Sequence, residues 1–174
     1  MSGLFALGVD MLDPVVNDAL QNQITRERTN EAAYLAIANR FDVLNLAGFA
    51  SWARKAAHEE SEHAQKFSDY LIDRNGAPLT APLVGVNAPP ADMLTAGAVL
   101  FGMALTVEVA NTDAIKTLYA LADEADDPQT CIFLIWAIEE QTHAERELTT
   151  LIAKAQFAQG CAAAVLALDH ELGA

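Results

Sequence analysis

Apolar residues recur along most of this chain at intervals of three and four, the spacing of one helix face. Asp13-Pro14 supplies a cap and a first-turn proline, and a stripe then runs Leu20, Ile24, Glu27, Glu31, Tyr34, Ala38, Phe41. A second helix, which Asn45 can cap, carries Phe49, Ala53, Ala56, Glu60, His63, Phe67 and Tyr70 as far as Arg74, and Asn75-Gly76 ends it. The third stripe is Leu94, Ala98, Phe101, Leu105, Glu108, Thr112, Ile115, Tyr119, Ala122. Asp127-Pro128 repeats the opening signal, and a fourth helix runs to about Ala158, where Gln159-Gly160 stops it. Ala162–Leu172 makes a short fifth helix with no obvious place in a four-helix core, so its apolar face is expected to meet another subunit.

The links between these helices set the topology. A short link makes the first two antiparallel neighbours. Gly76–Asp92 holds four of the six prolines and has no helical period, so it is a connection. Extended, it spans up to roughly 55 Å, enough to run the length of a helix of about 42 Å. The third helix is therefore expected to start at the same end as the second. One domain over residues 1–174 follows, since neither half could bury its stripe alone.

Each long stripe is interrupted near its middle by polar residues: Glu27 on the first helix, Glu60 and His63 on the second, Glu108 on the third and a polar cluster on the fourth. Residues three apart share a helix face, so Glu60 and His63 can hold one metal ion while Glu62 cannot join them. Middles of antiparallel helices meet, and carboxylates pointing into a core need a compensating partner, for which a metal is well suited. On the fourth helix, with Leu148 set as zero, Leu134, Ala137, Gln141, Ala144 and Ile152 fall within about 40° of the core direction. Glu140 lies about 80° off and His143 about 140° off, so their Glu-x-x-His is read as pointing to the bundle edge.

Composition narrows the field. Hydrophobic residues make up 52% of the chain but aromatics only 7%, which suits close-packed, alanine-rich helices. A net charge of −14 argues against nucleic acid or an anionic membrane as partner and suits the handling of cations. Only Cys131 and Cys161 are present, so no disulfide framework is implied and a reducing cytoplasm is expected. Met1–Val9 carries no basic residue and does not read as a signal peptide. No apolar run is read as a membrane span, each being broken by carboxylates or amides.

Taken together, Glu27, Glu60, His63, Glu108 and Gln141 resemble the ferroxidase site of non-haem prokaryotic-type ferritins: Glu, Glu-x-x-His, Glu and Gln on successive helices. Tyr34 matches the family's site tyrosine. The resemblance implies an all-α, ferritin-like four-helix bundle with a long crossover and a short fifth helix. It implies iron in a di-iron centre, Fe(II) and O₂ as substrates, and a homo-oligomeric cage of 24 subunits storing ferric mineral. In that reading Glu60 bridges the irons, Glu27 and His63 hold the first and Glu108 the second. Glu59 and Glu140 would contribute to a third iron site, although His143 and Ala144 replace carboxylates expected there. The bacterioferritin branch, which would use Glu140 and His143, is the rival, but Ser61 stands where that branch carries its haem-ligating Met, so no haem is expected. A ferritin-like di-iron oxidase acting on an organic substrate is the other alternative. The stretch Cys131–Ile135 is apolar where animal ferritins place channel carboxylates, and Asp123-Glu124-Ala125-Asp126-Asp127 just before it is acidic.

Overall fold

The computed structural model describes residues 12–79, 82–83 and 85–174. The leading segment Met1–Val9 lies outside them. Five helices form, with no strand among the described residues: α1 (Pro14–Val43), α2 (Ala47–Asp73), α3 (Ala96–Glu124), α4 (Pro128–Ala158) and α5 (Ala162–Leu172).

The helix ends follow from local chemistry. Asp13 accepts from the Val15 N–H at 2.8 Å, and Asp127 accepts from the Thr130 N–H at 3.1 Å, so both Asp-Pro signals start helices. Asn75 at φ 62° and Gly160 at φ 80° turn the chain out of α2 and α4 in left-handed conformations that asparagine and glycine tolerate. Asn45 behaves differently from expectation. It sits at φ 59° in the α1–α2 turn, and Leu46, which occupies the cap position, has no side-chain acceptor.

The missing cap comes from α5. Asp169 accepts the Phe49 N–H at 2.8 Å, closing the start of α2 from across the fold. Contact there is close enough that a Cβ on Gly48 would stand 1.7 Å from the Asp169 carbonyl oxygen, so even alanine would push α5 away. Val165 and Leu168 of α5 are buried in the core. The short helix thus finds its partner within its own chain, in the crevice between the start of α2 and the end of α4, and the expected intersubunit contact is not needed to cover that face.

α1 pairs with α2 and α3 with α4. Between α2 and α3 the crossover is pinned to α1 at both ends. Gln21 bonds the Ala77 carbonyl at 2.8 Å and the Leu79 N–H at 2.9 Å, and Arg40 donates to the Ala91 carbonyl at 2.9 Å. The chain therefore runs back along the bundle and starts α3 at the end where α2 began. At the opposite end Arg74 donates to both oxygens of Asp127, at 2.9 and 3.0 Å, tying the end of α2 to the cap of α4.

α3 is long and apolar enough, by length and composition alone, to cross a membrane, contrary to the expectation that no segment would be. Its charged residues other than Glu108 fall in the second half, at Asp113, Lys116, Asp123 and Glu124, so the first half stays apolar around Glu108 and Asn111. Glu108 and Asn111 are buried against α1 and α4, and 33% of the apolar stretch is buried, so bundle packing accounts for part of the composition.

The core is split in two. One cluster gathers Phe41, Phe49, Leu100, Phe101 and Leu148 near the α5 end, and the other gathers Leu20, Phe67, Leu71, Ile115 and Leu134 near the far end. On α2 the buried line is Phe49, Ala53, Ala57, Glu60, Ala64, Phe67, Leu71, so Ala57 and Leu71 take the places expected of Ala56 and Tyr70. Glu31 is half-exposed and pairs with Arg28 at 3.2 Å, while Leu94 precedes α3 altogether. Between the two apolar clusters lies a layer of buried polar side chains.

Candidate metal centre

That layer is built from the middle of each long helix. Glu27, Glu60, Glu108 and Gln141 are all at most 4% exposed. Glu27, Glu60 and His63 bring one ligand atom each to within 4.8 Å of one another. Glu108 approaches Glu60 from α3, near enough for its charge to raise the Glu60 carboxyl, and both line the same cavity. Glu60 therefore stands between a Glu27–His63 half and a Glu108 half. The same carboxyl from α2 faces both.

Burial, joined by Glu27 and Glu108 alongside, pushes the Glu60 carboxyl up to about 12. Burial among these carboxylates therefore favours a protonated carboxyl in the cluster at neutral pH. His63 lies against Trp136 with ring centroids 5.2 Å apart, which fixes its plane. Tyr34 donates a very short hydrogen bond to Glu108, and burial followed by the Glu108 charge raises its phenol well above the usual tyrosine value. Gln141 is buried on the core side of α4. Its amide nitrogen donates to the Glu108 carboxylate at 3.0 Å and to the Glu108 carbonyl at 3.0 Å, positioning that ligand.

A narrow cavity of about 100 Å³ leads outward from the centre between α2 and α4, with Tyr34, Glu60, His63, Glu108 and Ala144 among its inner lining. Its lining also includes Glu59, Glu140, His143 and Glu147, together with Lys55 and Trp52. Burial raises the Glu59 carboxyl; Lys55 opposes this, and Glu147 and Glu140 add to it. Glu140 and His143 are exposed, as their angles on the helix required, and take no part in the inner cluster. Ser61 accepts from Arg28 at 2.8 Å.

Sequence reasoning missed three buried amides. Gln23, Asn30 and Asn111 are each at most 5% exposed and hydrogen-bond Glu27 or Glu60. Their signal was available. Gln23 is four residues before Glu27, Asn30 three after it, and Asn111 three after Glu108, all on the ligand face.

Oxygen ligands from three glutamates with one imidazole form a hard donor set with room for a divalent cation. Such a set at the centre of a helical bundle makes a candidate carboxylate-type metal centre. Comparison with known proteins makes the class specific. A family model described as a ferritin-like domain matches residues 17–158. The ferritin heavy chain of Drosophila melanogaster is 34% identical over 152 residues, covering 80% of this chain and 71% of that protein. The bacterial non-heme ferritin of Staphylococcus aureus is 31% identical over 144 residues, covering 82% and 83%. Among solved structures, an open pore ferritin from the hyperthermophilic archaeon Archaeoglobus fulgidus superposes with a TM-score of 0.86 at 29% identity, covering 93% and 98%. The chain belongs to the ferritin family.

Proposed function

We propose that this chain is a single-domain ferritin subunit that oxidises Fe(II) with O₂ inside its own bundle and stores the ferric product in a hollow homo-oligomer. The observation that carries the reading is the convergence of Glu27, Glu60 and His63, with Glu108 on the far side of Glu60. Two Fe(II) fit this division, with Glu27 and His63 on one, Glu108 on the other and Glu60 between them. Each Fe(II) gives up one electron, and the pair supplies the two that O₂ requires to become peroxide.

Tyr34 and Gln141 hold Glu108 in place for the second ion. The cavity between α2 and α4 is the approach, and Glu59, Glu140 and Glu147 along it attract cations. Glu59 and Glu140 are placed to hold a further ion, though His143 and Ala144 leave that position short of carboxylates. Cys131 and Cys161 are free thiols, in keeping with a reducing cytoplasm. The cage is taken as 24 subunits by family resemblance. Mixing the protein with Fe(II) in air tests the reading: the ferric absorbance is expected to rise faster than in buffer alone, and the protein to elute near half a megadalton. A rate equal to buffer, or elution as a single chain, would reject it.

The proton on Glu60 gives the site a pH signature. Since the carboxyl is raised far above the ordinary glutamate value, filling the centre releases one proton from Glu60 near neutral pH. Apparent affinity for Co(II), a redox-quiet substitute for Fe(II), is expected to rise by roughly 10-fold per pH unit near neutrality. Calorimetric titration at pH 6 and pH 7 checks this, and a pH-independent affinity would contradict it.

A further inference from the structure

We infer that Asn111 is a positioning residue that couples the two halves of the centre, so that an ion bound by Glu27, Glu60 and His63 prepares the place of an ion bound by Glu60 and Glu108. The inference rests on the metal reading above. Among the described residues no lysine or arginine hydrogen-bonds Glu27, Glu60 or Glu108; apart from Tyr34 their donors are amides. Neutral amides orient carboxylates while leaving their negative charge for an incoming cation.

Three of these amides form a line. Gln23 donates to Glu27 at 2.6 Å and to the Asn111 carbonyl oxygen at 2.7 Å. The Asn111 amide nitrogen stands 3.4 Å from both oxygens of Glu27 and 3.5 Å from the side-chain carbonyl of Gln141. Gln141 in turn holds Glu108 at 3.0 Å. Hydrogen bonds thus run from Glu27 through Asn111 and Gln141 to Glu108 across α1, α3 and α4. This path bypasses Glu60 and never touches α2.

The contacts of Asn111 to Glu27 and Gln141 are long, so each is weak and adjustable before an ion arrives. Fixing Glu27 on a metal fixes the Asn111 amide, which fixes Gln141 and with it Glu108. The second ion then meets a ligand already ordered and loses less conformational entropy on binding. Asn30 differs, because its one partner in the centre is Glu60, at 3.4 Å, which both ions share.

Co(II) titration of the full chain, followed by the d–d absorption of the bound ion, separates these roles. Wild type is expected to take up two Co(II) per chain in one unresolved step. Asn111→Leu is expected to split uptake into two steps, the second weakened by roughly 10-fold relative to the first. Asn30→Leu should weaken both ions together and leave the step single. If Asn111→Leu does not fold by circular dichroism, Asn111→Ser, too short to span Glu27 and Gln141, is measured instead. A folded Asn111 variant that titrates in one step as wild type does, or splits no more than Asn30→Leu, overturns the coupling. Wild-type protein that binds no Co(II) overturns the metal reading itself.

Discussion

Glu60→Gln is expected to lower the initial rate of Fe(II) oxidation by at least about 100-fold while leaving the fold intact. Glutamine matches glutamate in shape but cannot bring an anionic oxygen to two cations at once. Its effect on stability runs the other way. Glu60 carries a proton in the metal-free protein at neutral pH because burial, Glu27 and Glu108 hold its carboxyl up to about 12. A carboxyl raised in the folded state opposes folding progressively as pH climbs above its unfolded value near 4.3, since the unfolded chain then ionises and the folded one does not. An amide has no such penalty, so the thermal midpoint of metal-free Glu60→Gln should equal or exceed that of the parent at pH 7. A loss of oxidation accompanied by a large loss of stability would assign Glu60 a structural role. An unchanged rate would remove it from the centre.

Phe101→Ala is expected to destabilise the chain by about 3–5 kcal/mol, measured by urea unfolding. Phe101 is fully buried and packs its ring against Phe41 at 5.5 Å, Phe49 at 5.2 Å and Trp52 at 5.0 Å between centroids. Removing it opens a cavity bordered by α1, α2 and α3, where surrounding rings cannot collapse without tilting the helices. The consequence reaches the centre through Trp52, which lies edge-on to Tyr34 with centroids 6.0 Å apart and donates to Glu147 at 2.8 Å. Tyr34 holds Glu108. Iron oxidation in folded Phe101→Ala is therefore expected to fall as well, but by less than in Glu60→Gln. A destabilisation below about 1 kcal/mol would mean that the two-cluster core does not depend on this aromatic group.

Much of this was legible before any coordinates. Asp-Pro pairs, Asn75 and Gly160 are local signals whose chemistry acts within a turn, and the helix limits followed them. The buried polar layer was legible because a carboxylate in an apolar stripe has few explanations, and three carboxylates at one depth have fewer. Gln141 over Glu140 followed from helix angle alone. Stripe register was less secure: spacing of three and four permits two neighbouring lines on α2, and only packing chose Ala57 and Leu71 over Ala56 and Tyr70. The buried amides escaped because asparagine and glutamine are ordinarily solvated, and their burial depends on facing carboxylates contributed by other helices. α5 escaped for a similar reason. Nothing in Ala162–Leu172 announces that α2 begins at a leucine without a capping side chain and needs Asp169 to complete it.

Anomalous diffraction from crystals of the full chain soaked in Co(II) addresses the central claim most directly. Two interior peaks per chain are expected, one against Glu27, Glu60 and His63 and one between Glu60 and Glu108. Peaks confined to the cavity mouth at Glu59, Glu140 and His143, with none at Glu60, would contradict it.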